Sequence, residues 1–373
     1  MRSGSLPAWL RATSGLAILG VAVLAACGGG AGATPVDASV ADAAIDATAV
    51  DAAVDAAVDA TVDATVDAAE LGPDHTYVIS RMQLATSTPE ALALGLDIDG
   101  VAGDAHNGVD NDLGTFLASL PGIQPGLDLG GTVAVGVDRG LAIHLVNVRT
   151  DDLQNASTAG LEFYVGDANT EVPAACTDLS DLDCRHHLDG TGRFTIEVGT
   201  PTDRRVEGVI VAGHLVGGPG TLALRLVLVP GGAPVELVLH SAKADLNLTS
   251  TGFTVGSKVG GGIKQADIET VMHPVLRALW IAAIDRDCPP PREPPSCGCV
   301  GGSVGANLLG NFDVAQPRDC ELTLAEVTAW MNGFLAEDLD LFDASGAVGS
   351  DGVNDSVSFG LGVQAVRGTF PVP

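Results

Sequence analysis

From residue 132 to residue 255 the chain repeats one pattern: short runs of β-branched and aliphatic residues, each closed by Gly, Pro or Asp. The runs fall at 132–137, 141–148, 161–165, 193–198, 208–216, 221–229, 234–240 and 244–255, with an earlier one at 77–80. Runs this short, punctuated this regularly, read as strands joined by turns. A long series of short strands has to stack into two sheets or close on itself. The sequence therefore predicts a mainly β fold, a β-sandwich or jelly-roll-like domain, with a barrel as the related solution. Few aromatic residues (4%) and 48 glycines agree with a β-rich, loop-rich chain.

Further on the period changes. Ile268, Val271, Met272, Val275, Leu276, Leu279 and Ile284 recur at helical spacing, which predicts an amphipathic helix over 265–287, kinked or restarted at Pro274. Shorter helices are expected at 113–120, 306–311 and 323–336, and a final strand at 356–370. Trp280, Trp330 and Phe334 fall at apolar helical positions and are expected in the core. The division that follows is a β-rich domain over 75–262, a helical Cys-rich insertion over 263–350, and a strand in 351–373 that returns to the β domain.

The amino end has a different design. Arg2 and Arg11 precede an apolar run that ends in Leu24-Ala25-Ala26-Cys27. That order is an export signal, and its cysteine makes it resemble a bacterial lipoprotein signal. The resemblance implies removal of residues 1–26 and lipidation of Cys27. The apolar run of about 11 residues is shorter than the roughly 20 needed to span a bilayer. Gly28 follows the cysteine where an aspartate would mark inner-membrane retention, so the resemblance implies the outer membrane, on either face. Up to residue 74 the chain then consists largely of Ala, Val, Thr and Asp, with Asp at 37, 42, 46, 51, 55, 59, 63 and 67. Lacking large apolar residues, this stretch reads as a disordered, partly helical tether with a reach of roughly 40 Å.

Loss of Arg2 and Arg11, with no acid among residues 1–26, moves the formal charge from −29 to −31. So acidic a chain does not suit nucleic acid, which demands clustered Lys and Arg. Membrane attachment then rests on the acyl chain rather than on anionic lipid.

Besides Cys27 there are six cysteines, an even set suited to an oxidising compartment. Cys176 and Cys184 are expected to close a small loop, while Cys288, Cys297, Cys299 and Cys320 make two further bridges. A zinc site from those four is the competing reading; the Cys297-Gly298-Cys299 spacing is unusual for one.

Two segments carry hard oxygen donors that could hold Ca²⁺. The first resembles a degenerate EF-hand loop: Asp313, Asp319, Thr323 and Glu326 are its candidate ligands, between two helical signals. It is two residues too long, Ala315 stands at a ligand position and Cys320 replaces the turn glycine. The second is Asp97-Ile98-Asp99-Gly100 with Asp110-Asn111-Asp112, where Asp97, Asp99, Asp110 and Asp112 are candidate ligands. Asp351-Gly352-Val353-Asn354-Asp355 echoes it near the other end. Each segment can also be read as turn and cap chemistry.

Enzymatic signals are thin. Gly301-Gly302-Ser303-Val304-Gly305 matches a hydrolase elbow, yet it follows a Pro/Cys loop and no His comes after His273. The eight histidines are scattered and read as loop or edge residues. Two of Asp178, Asp181, Asp183 and Asp189 could serve as the paired carboxylates of a carbohydrate-active hydrolase. Taken in order, the lipobox, the Val/Asp/Ala tether, Asp/Gly segments, Cys-Gly-Cys and EF-like loop resemble the uncharacterised predicted lipoproteins of myxobacterial-type bacteria. The resemblance implies an envelope location and no known activity. The functional expectation is a non-enzymatic, membrane-tethered binding or structural domain for a protein or glycan, stabilised by Ca²⁺; the alternative is the hydrolase.

Overall fold

The computed structural model describes residues 71–101, 108–178, 180–202, 204–314 and 317–373. The signal, Cys27 and the tether up to residue 70 lie outside the described residues, as do His106 and Ala315.

Among the described residues, ten strands form one antiparallel sheet: β1 (Asp74–Gln83), β2 (His144–Arg149), β3 (Asn155–Val165), β4 (Arg205–Val211), β5 (His214–Gly220), β6 (Leu222–Leu226), β7 (Val235–Thr249), β8 (Gly252–Phe253), β9 (Lys258–Lys264) and β10 (Ser356–Arg367). Eight of them run in a ring, β1-β2-β3-β4-β5-β7-β9-β10, and the ring closes because β10 pairs with β9 on one side and with β1 on the other. The closing register runs from Tyr77 opposite Arg367 to Gln83 opposite Gly362. The architecture is thus a closed barrel, and the expected sandwich or jelly roll is corrected. Alternation and turn spacing are the same in both; the difference is set by the pairing of the first strand with the last, which no local pattern encodes.

Two strands show how local chemistry sets register. The runs expected at 234–240 and 244–255 are one 15-residue strand, β7. Its buried residues are Leu237 and Leu239, then Ala242, Ala244, Leu246 and Leu248, so the parity changes in mid-strand. The pairing with β9 shifts between His240 and Lys243, and Ser241 sits at φ 47°. One extra residue at this bulge keeps the same face inward while the sequence parity flips. In β9 Gly260, Gly261 and Gly262 are all in the sheet. A Cβ on Gly262 would lie 2.2 Å from Leu341 Cδ1, so a side chain there would have to displace Leu341.

Among the described residues, six helices cover the barrel: α1 (Thr88–Leu94), α2 (Asp112–Ile123), α3 (Leu129–Asp138), α4, α5 (Val304–Phe312) and α6 (Leu324–Met331). The helix α4 begins as Gln265–Asp267, widens into a π-turn over Ile268–Met272, and runs on as His273–Asp287. Pro274 has no N–H to donate, and just before it the His273 N–H reaches back to Ile268 O. The strand expected at 132–137 is instead α3. Asp128 caps it by accepting from the Gly131 N–H at 2.7 Å, and Leu129, Val133 and Val137 fall on one buried stripe four residues apart. Burial on a helical period outweighs the β preference of its valines. The run expected at 193–198 makes isolated bridges only, Arg193 to Val172 and Thr369, and Ile196 to Gly166. One cluster of buried side chains runs from the barrel through Leu276, Trp280, Phe312 and Val327 of the helices.

Candidate functional site

The chain after α1 turns through Asp97 and Asp99 and returns to start α2. Leu96 bridges Asp110, and buried Asp110 accepts the Ile98 N–H at 2.6 Å. Asp97 accepts from the Gly100 N–H at 2.6 Å and Asp99 from the Val101 N–H at 2.8 Å. These Asx-type turns fold the two exposed acids towards the buried one. Carboxylate oxygens of Asp97, Asp99 and Asp110 come within 4.8 Å of one another. The frame behind them is stiff, because buried Asn111 caps α2 through the Gly114 N–H and also bonds Ala91 O, Gly360 O and the Gly360 N–H.

A fifth acid joins. The Asp112 N–H donates to Ser358 Oγ at 2.8 Å, and Ser358 donates through both its N–H (2.8 Å) and its hydroxyl to Asp338. Burial pushes the Asp338 carboxyl up to about 6, and the charges of Asp112 and Asp110 push the same way, against the Ser358 hydrogen bonds. Four acids singled out in the sequence therefore sit at one end of the barrel, with Asp338 beside them. Asp338 carries no sequence signal, being brought there by the pairing of its loop with β10.

The EF-like residues are placed differently. Asp313 is fully buried and accepts the Cys320 N–H at 3.0 Å, while Asp319 accepts the Glu321 N–H. Glu326 turns back on Thr323, accepting its N–H and hydroxyl, and Thr323 accepts the Glu326 N–H: a capping box at the start of α6. Cys297, Asp313 and Cys320 approach one another, but the two sulfurs are bonded to each other. The six cysteines form three disulfides, Cys176–Cys184, Cys288–Cys299 and Cys297–Cys320. That leaves no thiolate for the zinc reading. The last two bridges interleave and tie the end of α4 to the segment between α5 and α6.

Comparison with protein-family models, curated proteins and solved structures finds no match.

The remaining candidates resolve into local structure. Ser303 caps α5 by accepting from the Ala306 N–H at 3.2 Å. Asp178, Asp181 and Asp189 each take hydrogen bonds from nearby Ser or Thr residues. Those bonds hold the three carboxyls below the ordinary range, opposite to what a general acid needs. Three histidines are buried: His144 in β2, His273 in α4, and His187, which is a loop residue as expected but sits in a short 3₁₀ turn against the core. Burial, aided by neighbouring arginine charge, lowers His144 and His187 to about 4. Trp280 is core as expected, but Phe334 is 67% exposed and stacks on half-buried Trp330, with centroids 4.4 Å apart.

The sequence reading also missed a polar network on β1, β2 and β3. Asn147 donates to Asp74 at 2.8 Å and to Glu162 at 3.0 Å, and the Tyr164 hydroxyl donates to Glu162 at 2.8 Å. Arg149 lies 3.1 Å from Asp74. Burial and then Glu162 raise the Tyr164 hydroxyl well above its usual range. Its signal was present as polar residues at alternate positions 147 and 149, and 162 and 164, within otherwise apolar strands.

Proposed function

We propose that this protein is an exported, lipid-anchored binding domain of the cell envelope, whose acidic end holds a Ca²⁺ ion. The observation that carries the site is the convergence of Asp97, Asp99 and Asp110, whose carboxylate oxygens lie within 4.8 Å of one another on a frame fixed by Asn111. Ca²⁺ takes six to eight oxygens, so three carboxylates leave places for carbonyls and water. Bound there, the ion would offset the mutual repulsion of the acids, to which Asp112 and Asp338 add. Its role is structural: it would pin the turn between α1 and α2 against β10.

Export is supported by the use of all six remaining cysteines in disulfides, the chemistry of an oxidising compartment. Among the described residues no helix is long and apolar enough to cross a membrane. Anchoring is assigned to acylated Cys27, as the resemblance of residues 1–27 to a lipoprotein signal implies, with the Ala/Val/Asp-rich stretch that follows as a tether that holds the barrel away from the outer membrane. The domain binds or displays rather than turns over, with a protein or glycan as its ligand.

A carboxylate-pair hydrolase has one observation in its favour, the raised carboxyl of Asp338 beside Asp112 and Asp110. Calorimetric titration with Ca²⁺ separates the readings. The proposal requires one saturable site that Asp99→Asn weakens at least about tenfold, as expected for losing a charged ligand. Absence of any calcium heat, together with glycan turnover lost in Asp338→Asn, would replace it with the hydrolase.

A further inference from the structure

A second feature of the barrel has the opposite electrostatic character. The helix α3 lies against β1, and a cleft of about 310 Å³ opens along one flank, lined by Ser80, Arg81, Ala134, Asp138, Arg185 and Gln364. It continues past Arg81 and Ala134 into a further space of about 260 Å³ that reaches Thr86, Glu90 and Asp128. The chain has 18 Lys and Arg against 47 acids, yet two guanidinium groups meet here with one carboxylate between them.

Each lining group is held for a stated reason. The pairing of β1 with β10 slips by one residue between Ile79 and Arg81, so that Arg81 comes opposite Gln364. A bulge of this kind re-aims the side chain that follows it. Arg185 is fixed from behind. It takes φ 128°, its N–H and that of His186 both donate to Ala175 O, and Cys184 before it is bridged to Cys176. From that position Arg185 donates to Asp138 at 2.6 Å and to Ser80 O at 3.2 Å. Asp138 therefore satisfies Arg185. The guanidinium of exposed Arg81 has no hydrogen bond or ion pair among the described residues, and the half-buried Gln364 side chain has no hydrogen bond among them either.

Arg81 and Gln364 are thus two donors without a hydrogen bond among the described residues, opposite each other in register. They lie at the mouth of the first space, whose charged lining is Arg81, Arg185 and Asp138, one positive in sum. Arg81 feels the charge of Asp138, and the further space, with Glu90 and Asp128, is acidic. We infer that this cleft is a binding site for a small organic carboxylate, its carboxyl group taken by Arg81 and Gln364. The planar guanidinium fork matches a carboxylate with two parallel hydrogen bonds. A single negative charge balances Arg81, whereas a phosphate dianion would also meet Asp138, and beyond it Glu90 and Asp128. The space suits a molecule at the small end of the range for ligand pockets. None of the lining residues belongs to the acidic end, so the site does not depend on Ca²⁺. It goes beyond the proposed function, adding a small-molecule site to a domain whose protein or glycan ligand is a separate matter, and it can fail while calcium binding stands.

The test is backbone amide NMR of the mature chain carrying Cys27→Ser, titrated in turn with succinate, L-glutamate, benzoate and inorganic phosphate, in EDTA and in Ca²⁺. At least one carboxylate should saturate the shifts of Arg81, Met82, Ala134 and Gln364. Arg81→Gln should weaken it at least about tenfold, the loss of a charge-assisted pair. Gln364→Ala should weaken it less, and Arg139→Gln, on the other flank of α3, should leave it unchanged. Arg81 is exposed and makes no contacts that folding needs, so the variant keeps its fold, and its unfolding midpoint verifies that. The inference is overturned if no carboxylate saturates, if Arg81→Gln binds like the parent, or if phosphate binds as tightly as the best carboxylate.

Discussion

Acid should destabilise this protein through one buried histidine, by an amount the structure sets. His144 begins β2 with no exposed surface, and its Nε2 accepts the N–H of Arg225 in β6 at 2.7 Å. Protonating that nitrogen would turn an acceptor into a donor facing a donor. Burial first, then the Arg225 charge, lower the group from 6.5 to about 4. Between those values the unfolded chain binds a proton that the folded chain refuses. Stability is therefore complete above the unfolded value and falls as pH falls towards the folded one. The slope is about 1.4 kcal/mol per pH unit, so His144 removes about 2 kcal/mol by about pH 5. His187 acts in the same direction. Asp338 opposes both: raised to about 6, it contributes stability at low pH that is lost as pH rises through that value. Comparing the parent with His144→Gln cancels those shared contributions, because glutamine offers a neutral acceptor of similar reach. Urea unfolding, followed by the fluorescence of Trp280 and Trp330 with the disulfides intact, should show the parent losing about 2 kcal/mol more than the variant between about pH 7.5 and about pH 5. Parallel stability curves for the two proteins would refute the reasoning.

Other outcomes follow from single contacts. Thr323→Ala breaks the capping box of α6 and should cost about 1 kcal/mol in urea unfolding while leaving the calcium response intact. Replacing Cys297 and Cys320 together by Ser opens a loop of sequence separation 23 and should cost about 3 kcal/mol, read from the unfolding midpoint under oxidising conditions. Cys27→Ala in the full chain should move the protein from the detergent phase to the aqueous phase on phase partitioning, and an unchanged distribution would remove the lipid anchor.

Much of this could be read along the chain, and the failures share a cause. Strands and helices with a clean period were legible, including α4, whose apolar residues sit at 3.6-residue spacing on both sides of Pro274. The cysteine grouping also anticipated which loops are bridged. What the sequence did not carry was anything decided between distant strands. Barrel closure rests on Tyr77 meeting Arg367, and α3 forms because Val133 and Val137 find a core, against their own β preference. The sites divide in the same way. Asp97, Asp99, Asp110 and Asp112 lie within 16 residues of one another, so their clustering was visible as a motif. Asp338 is in place only because its loop pairs with β10, and the Arg81–Gln364 pair exists only because β10 returns beside β1. Phe334 looked like core on its helical period, but α6 ends at Met331 and leaves it on the surface.

The most direct measurement is thermal unfolding of the mature chain carrying Cys27→Ser, first in EDTA and then in about 1 mM Ca²⁺, with Asp110→Asn alongside. If only the folded protein binds, Ca²⁺ at about 100 times Kd adds about 2.7 kcal/mol, a shift of several degrees. The account predicts that shift for the parent and its loss in Asp110→Asn, whose buried carboxylate is where the exposed pair converges. Equal midpoints for the parent in EDTA and in Ca²⁺ would contradict it, and the acidic end would then be turn chemistry alone.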